Sequence, residues 1–192
     1  MDTSSQKSRA LQLRIADAAY VAIAPYELVE LIEHPATLMV PFAPPYCTEM
    51  LVWEGQAVAV FDLRAVLRYV HPESVQSAEA VDASPLAVRL PHVLIAAYQT
   101  AAATPLRYVG LRVAGVPQTV VVNDSDHAPL PLPAWAPITA ACFNDGLDVV
   151  PIIDVQRLAQ LAASEIEALA RPAQLVQLAG AASPDAVDWV LE

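Results

Sequence analysis

One stretch, residues 35–67 (PATLMVPFAPPYCTEMLVWEGQAVAVFDLRAVL), limits the folds open to this chain more than any other. It opens as an extended segment punctuated by prolines. Ala57, Val58, Ala59, Val60 and Phe61 then form a short apolar run closed by Asp62, and Gly55 gives the backbone freedom to turn ahead of it. The incoming residues Met50, Leu51, Val52 and Trp53 are apolar as well, so two strands fold back on each other at Glu54 and Gly55. Asp62 precedes Leu63, Arg64, Ala65, Val66 and Leu67, where a carboxylate can accept the free N–H groups of a first helical turn. The unit is a hairpin followed by a short helix.

The same theme returns in ITAACFNDGLDVVPIIDVQRL, where Gly146 precedes Asp154 by eight residues as Gly55 precedes Asp62 by seven. Both aspartates lead into amphipathic runs, Leu63, Val66 and Leu67 in one case and Val155, Leu158 and Leu161 in the other. Two such units in one chain predict two related β lobes.

Between and around them the reading is coarser. Residues 1–10 are expected to be a flexible terminus, with a first strand beginning at Leu11 and a turn over Ala16, Asp17 and Ala18. Tyr20, Val21, Ala22 and Ile23 form a second strand ended by Pro25. Leu28 to Ile32 is taken as a strand, because Pro25 and Pro35 leave room for only a short element. Residues 70–90 are polar and rich in Pro, Ser and Ala, and are expected to be a lobe boundary or a long loop. HVLIAAYQ from His92 and RYVGLRVAGV from Arg107 form a hairpin, which Val120 to Val122 should prolong after a break at Pro117. NDSDHAPLPLPAWAP reads as a loop of extended, polyproline character. A helix over 158–170 is followed by a tail, 171–192, with a last short helix capped near Ser183.

Composition decides what such a chain can bind. Ten basic residues stand against twenty-one acidic ones, a formal charge of −11, so phosphate backbones are repelled and nucleic acid is not an expected partner. The chain holds two cysteines, Cys47 and Cys142, far apart and outside any C-x-x-C, and they read as buried thiols. The amino terminus lacks the apolar core of a signal peptide, and the uncharged stretch 128–143 carries Pro129, Pro131, Pro133 and Pro137, which forbid a continuous spanning helix. A cytoplasmic protein with no direct membrane insertion is expected.

Groups that could carry chemistry do not converge in the sequence. His34, His71, His92 and His127 are scattered in turn-like contexts, and no zinc-binding spacing occurs, so no metal site is expected. Asp62 and Asp154 sit where helix caps are wanted, which is a stronger reading than a catalytic pair. The glycines build no phosphate cradle. No active site and no cofactor are read from the chain.

Several strings, in order, resemble the signature of the CheW-like adaptor family of bacterial chemosensory systems: LVELIEH from Leu28, VPFAPPY from Val40, EMLVWEG from Glu49 and VAVFDL from Val58. They correspond to that family's apolar-V-x-E-I strand, P-x-x-P segment, G-V-x-N-L-R-G and V-x-P-V-I-D-L. Glu49 stands where the first glycine is expected, and Glu54 replaces the arginine of the R-G pair. The resemblance implies a mainly β fold of two small five-stranded, SH3-like β-barrels packed together, with short helices and a helical carboxyl tail. It assigns residues 11–170 to that domain.

The function implied by the resemblance is that of a non-catalytic adaptor, which couples the cytoplasmic tips of chemoreceptors to the regulatory domain of a CheA-type histidine kinase in a pathway that could govern type IV pili and twitching. The partner-binding residues so implied are Leu28, Glu30, Val40, Trp53, Glu54 and Gly55. Trp53 is an anchor if exposed and a core residue if not. Met39, Val40, Phe42, Pro44, Pro45 and Tyr46 are either an exposed apolar segment or packing between lobes. At Glu54 the resemblance implies a receptor-facing arginine, so the local charge is reversed and an acidic partner surface would be repelled. The alternative is a ligand-binding or enzymatic two-barrel protein that uses a deep cleft between the lobes.

Overall fold

The computed structural model describes residues 7–16, 19–70, 90–130 and 133–170. Strands β1 (Lys7–Ala16) and β2 (Ala19–Ile23) form a hairpin, and a 3-10 turn at Pro25–Glu27 leads to β3 (Leu28–Glu33) and the short β4 (Leu38–Met39). A second hairpin, β5 (Glu49–Trp53) and β6 (Gln56–Phe61), runs into helix α1 (Leu63–Val70). Then come the hairpin β7 (His92–Tyr98) and β8 (Arg107–Val113), strand β9 (Gln118–Asn123), the hairpin β10 (Thr139–Asn144) and β11 (Val149–Ile153), and helix α2 (Val155–Ala170).

These strands make a six-stranded sheet ordered β3-β7-β8-β6-β5-β4 and a five-stranded sheet ordered β10-β11-β2-β1-β9. Set side by side, the two orders match. In each, the last strand of a hairpin that precedes a helix lies parallel to the second strand of another hairpin, β6 on β8 and β11 on β2. The chain is therefore one plan run twice: hairpin, crossover strand, hairpin, helix. Each half gives its first hairpin to one sheet and the remainder to the other.

That exchange fixes where the described chain changes sheet. Residues 71–89 lie outside the described residues, but the elements on either side, β6 with α1 and β7, belong to the same six-stranded sheet or follow directly from it. The chain changes sheet instead at the Pro25–Glu27 turn and between β8 and β9. Two expectations change for the same reason. Val120 to Val122 do not prolong β8: they sit in β9, which pairs with β1 from Gln12↔Gln118 to Lys7↔Asn123. That pairing also places Lys7, Ser8, Arg9 and Ala10 in a strand and not in a frayed terminus. The loop expected over 123–137 contains 3-10 turns at Asp124–Asp126 and Pro133–Ile138. The turn at Asp17 and Ala18 and the helix near Ser183 fall outside the described residues.

Among the described residues, three apolar clusters hold this arrangement. The largest lies between the sheets, where Leu11, Leu13, Ile15, Val21 and Ile23 meet Phe61, Leu94, Val109, Leu111 and Val113. Leu63 and Val66 of α1 and Val155 and Leu158 of α2 seal it. Each of these side chains contributes roughly 1.5–3 kcal/mol by leaving water. Each sheet also curls over a small core of its own, Leu51, Trp53, Val58, Val60, Val93 and Ile95 in one and Ala10, Ala22, Phe143 and Val150 in the other.

The expected caps are present. Asp62 Oδ1 accepts the Arg64 N–H at 3.0 Å, and Asp154 Oδ1 accepts the Arg157 N–H at 3.0 Å. Each aspartate also pairs with the guanidinium of that arginine, at 2.7 Å and 3.1 Å. Cys47 and Cys142 are buried free thiols, and burial pushes the Cys47 thiol up to about 11.

At the parallel seam of β6 and β8 only a glycine fits. A Cβ on Gly110 would lie 2.8 Å from Val93 Cγ1 and 3.1 Å from Val60 Cγ2, both in the packed core. Gly110→Ala is therefore expected to destabilise the protein by about 1–3 kcal/mol through overpacking, read as a lower urea midpoint with an unchanged slope. A neutral outcome would mean that Val93 and Val60 can move apart without cost.

Candidate functional site

The six residues singled out for partner binding all belong to β3, β5 and the segments beside β4 and β6, but the structure gives them different tasks. Leu28 opens β3, half-buried, and packs against the core shared by the sheets. Val40 follows β4 and donates its N–H to the Thr48 carbonyl at 2.8 Å. Glu54 and Gly55 form the exposed two-residue turn between Trp53 and Gln56, with φ of 46° and 75°.

Trp53 is 8% exposed and belongs to the small core of the six-stranded sheet. Its ring lies 4.8 Å from that of Tyr108, and its Nε1–H donates to Glu30 Oε2 at 2.6 Å. Strands β3 and β5 are not neighbours in the sheet, so this hydrogen bond ties together two strands that only a strong curl can bring near each other. Glu30 thus has a structural partner.

The turn itself is strained. Two positive φ values define a type I′ turn, which suits a twisted hairpin but places a non-glycine residue, Glu54, in the left-handed region. Asn tolerates that region better than Glu. Glu54→Asn should raise stability by about 0.5–1 kcal/mol, measured as a higher urea midpoint, whereas an unchanged midpoint would show that the turn relaxes freely.

The apolar segment expected over 39–46 divides in two. Pro44 and Tyr46 are buried, and Tyr46 stacks on Phe61 with centroids 6.3 Å apart. Leu38, Met39 and Phe42 stay in solvent, and Phe42 is 98% exposed with φ of 59°. Val52 joins them from β5, since Leu38 pairs with Met50 on the neighbouring strand. Val52 was not foreseen, although its place between the inward-facing Leu51 and Trp53 puts it on the outer face by the two-residue period of a strand.

Among the described residues, two concave sites bear on the question of a ligand. One, of about 140 Å³, is lined by Pro45, Glu49, Asp62, Arg64 and Arg112. Arg112 is 6% exposed and pairs with the Glu49 carboxylate, while its other nitrogen donates to the Leu90 carbonyl at 3.1 Å. Glu49, at the position where a glycine was expected, therefore neutralises a buried cation. The other is a shallow groove of about 710 Å³ on the five-stranded sheet.

The histidines are less loop-like than expected. His92 begins β7 and stacks on His34 with centroids 6.3 Å apart. Among the described residues no group of three or more His, Cys, Asp or Glu could hold a metal ion, and no helix is long and apolar enough to cross a membrane.

Known proteins share this architecture. No curated protein sequence matches the chain. A solved structure, the scaffolding protein TtCheW from Thermoanaerobacter tengcongensis, superposes with a TM-score of 0.57 at 11% identity, over 78% of this chain and 90% of that one, a likeness of fold. The model of the CheW-like domain matches residues 9–163. That match spans most of the chain, and with two curled β sheets and the matching signature strings beside it, this chain belongs to the CheW-like domain family.

Proposed function

We propose that the protein is a cytoplasmic adaptor that couples chemoreceptor tips to the regulatory domain of a CheA-type histidine kinase, in a chemosensory pathway serving type IV pili. The observation that carries this reading is Phe42: an aromatic side chain 98% in solvent, on a backbone with positive φ, pays twice and contributes nothing to folding. Leu38 and Met39 of β4 and Val52 of β5 are exposed as well, so the β4 edge of the six-stranded sheet and the turn after it carry several solvent-facing apolar side chains, suited to a protein partner. Glu54 and Gly55 stand at the end of the same hairpin and face solvent. An acidic turn there favours a receptor surface that lacks carboxylates at that point.

The test is direct binding of the purified protein to the regulatory domain of a histidine kinase from the same cell. A complex at tens of micromolar or tighter is expected, and Phe42→Ser should weaken it about tenfold or more without lowering thermal stability. No complex at about 100 µM, or full binding by the Phe42 variant, counts against the assignment of this face. Glu54→Arg serves the receptor arm: it should alter receptor binding while leaving the kinase complex intact.

A further inference from the structure

The five-stranded sheet keeps one edge that nothing in the adaptor reading uses. Strand β9 pairs along its full length with β1, and among the described residues no strand lies on its other side. Just past β9, His127 bridges to Phe143 and the Ala128 N–H donates to the Cys142 carbonyl at 3.0 Å, so the sheet curls until its two edges meet at one end. At the other end they part, and the groove of about 710 Å³ lies between them, lined by Val120, Val121 and Phe143 and by the carboxylates of Asp126 and Asp145.

Exposed sheet edges are usually blunted by charge, proline or shortness. At the edges of the other sheet, β3 carries Glu30 and Glu33, and β4 has only two residues. Strand β9, QTVVVN, has no charge and no proline, and its Val121 is 58% exposed. An edge left open in this way, beside a groove, is the geometry of strand addition, in which a peptide backbone pairs with the edge and alternate side chains enter the groove.

Charge selects the occupant. The lining residues include two carboxylates and no cation. Both carboxylates are locked in place: Asp126 accepts the Asn123 N–H at 2.8 Å and the Ser125 hydroxyl at 3.1 Å, and Asp145 accepts the Asp148 N–H at 2.9 Å, the Leu147 N–H at 3.0 Å and Gln12 Nε2 at 2.9 Å. These donors, the Asn123 N–H first for Asp126 and the Asp148 N–H first for Asp145, hold both groups below the usual carboxylate range and therefore ionised. A second copy of this chain would bring a formal charge of −11 to the same place.

We propose that the groove between β9 and β10 receives an extended segment of another protein, alternating apolar and basic residues, as an added strand on β9. This surface lies on the sheet opposite the Phe42 face, so the two proposals stand or fall separately.

The probe is a blocked synthetic peptide of alternating valine and lysine, titrated against the full chain and followed by the amide signals of β9. Saturable binding with shifts at Val120 and Val121 is expected. An alternating valine and glutamate peptide should not bind, and the Asp126→Asn, Asp145→Asn double variant, whose amide oxygens can still accept the turn hydrogen bonds, should bind about fivefold more weakly. N-methylation of alternate peptide bonds removes donors and keeps charge and side chains, and should abolish binding. The proposal is overturned by no saturation at about 1 mM, by equal binding of the methylated peptide, which would reduce the effect to charge attraction, or by self-association of the chain through β9 that the peptide displaces.

Discussion

Glu49→Ala is expected to lower the stability of the protein by about 3 kcal/mol, because it strands the Arg112 guanidinium inside the fold. Arg112 reaches the Leu90 carbonyl, the Thr37 hydroxyl and the Glu49 carboxylate, and only the last carries a charge to balance it. The side chains are 8% and 13% exposed, so water can replace little of what is lost. The pair is costly to break but need not be favourable to have: two apolar residues of similar length could fill the site as well. The double variant Glu49→Met, Arg112→Met should therefore recover most of the loss, leaving it within about 1 kcal/mol of the parent. Urea unfolding of Glu49→Met, Arg112→Met and the double variant closes the cycle. Additive losses would mean that the two side chains do not depend on each other, and the account of Glu49 as a counter-charge would fail.

That pair also marks where reading the sequence stops. The hairpins, their turns and the two aspartate caps were legible because each depends on residues close in the chain: Gly55 and Gly146 at turns, and Asp62 and Asp154 one residue ahead of their helices. Family resemblance supplied the two-lobed β plan. What could not be read is non-local. Glu49 and Arg112 are far apart in sequence, and nothing near Glu49 announces a buried cation. The exchange of hairpins between sheets is likewise invisible, because β1 and β7 look equally able to pair with any neighbour of the right period, and the choice of β9 for β1 and of β3 for β7 is made by the assembled core. A polar connector marks the joint between the two repeats of the plan, and the repeats do not coincide with the sheets.

Exposure was legible only in part, for a related reason. An apolar residue in a strand faces inward or outward according to register, and register is fixed by the partner strand. In turns no such period applies: Phe42 and Tyr46 carry the same kind of side chain in one proline-rich segment outside the strands, yet Tyr46 stacks on Phe61 and Phe42 stands in solvent. Trp53 is likewise buried by the strands around it, which bears on the side chains of the candidate site that are free to meet a partner.

Trp53→Ala should cost about 3–5 kcal/mol, as the loss of a large buried ring leaves a cavity among Leu51, Val58, Val60, Val93 and Ile95. Such a variant will fail to bind partners simply by unfolding, so the informative change is Trp53→Phe. It keeps the ring contact with Tyr108 and removes the Nε1–H that Glu30 accepts, for a loss of about 1–2 kcal/mol. Because Glu30 is exposed, water can take up its freed oxygen, and Glu30→Gln should be milder still. If Trp53 is a core residue, the phenylalanine variant binds the kinase regulatory domain with its full affinity at temperatures where it remains folded, while Phe42→Ser, equally stable, does not. The reverse pattern, binding lost in Trp53→Phe and kept in Phe42→Ser, would move the interface from the β4 edge to the hairpin end and would require the indole to leave its pocket when the partner arrives.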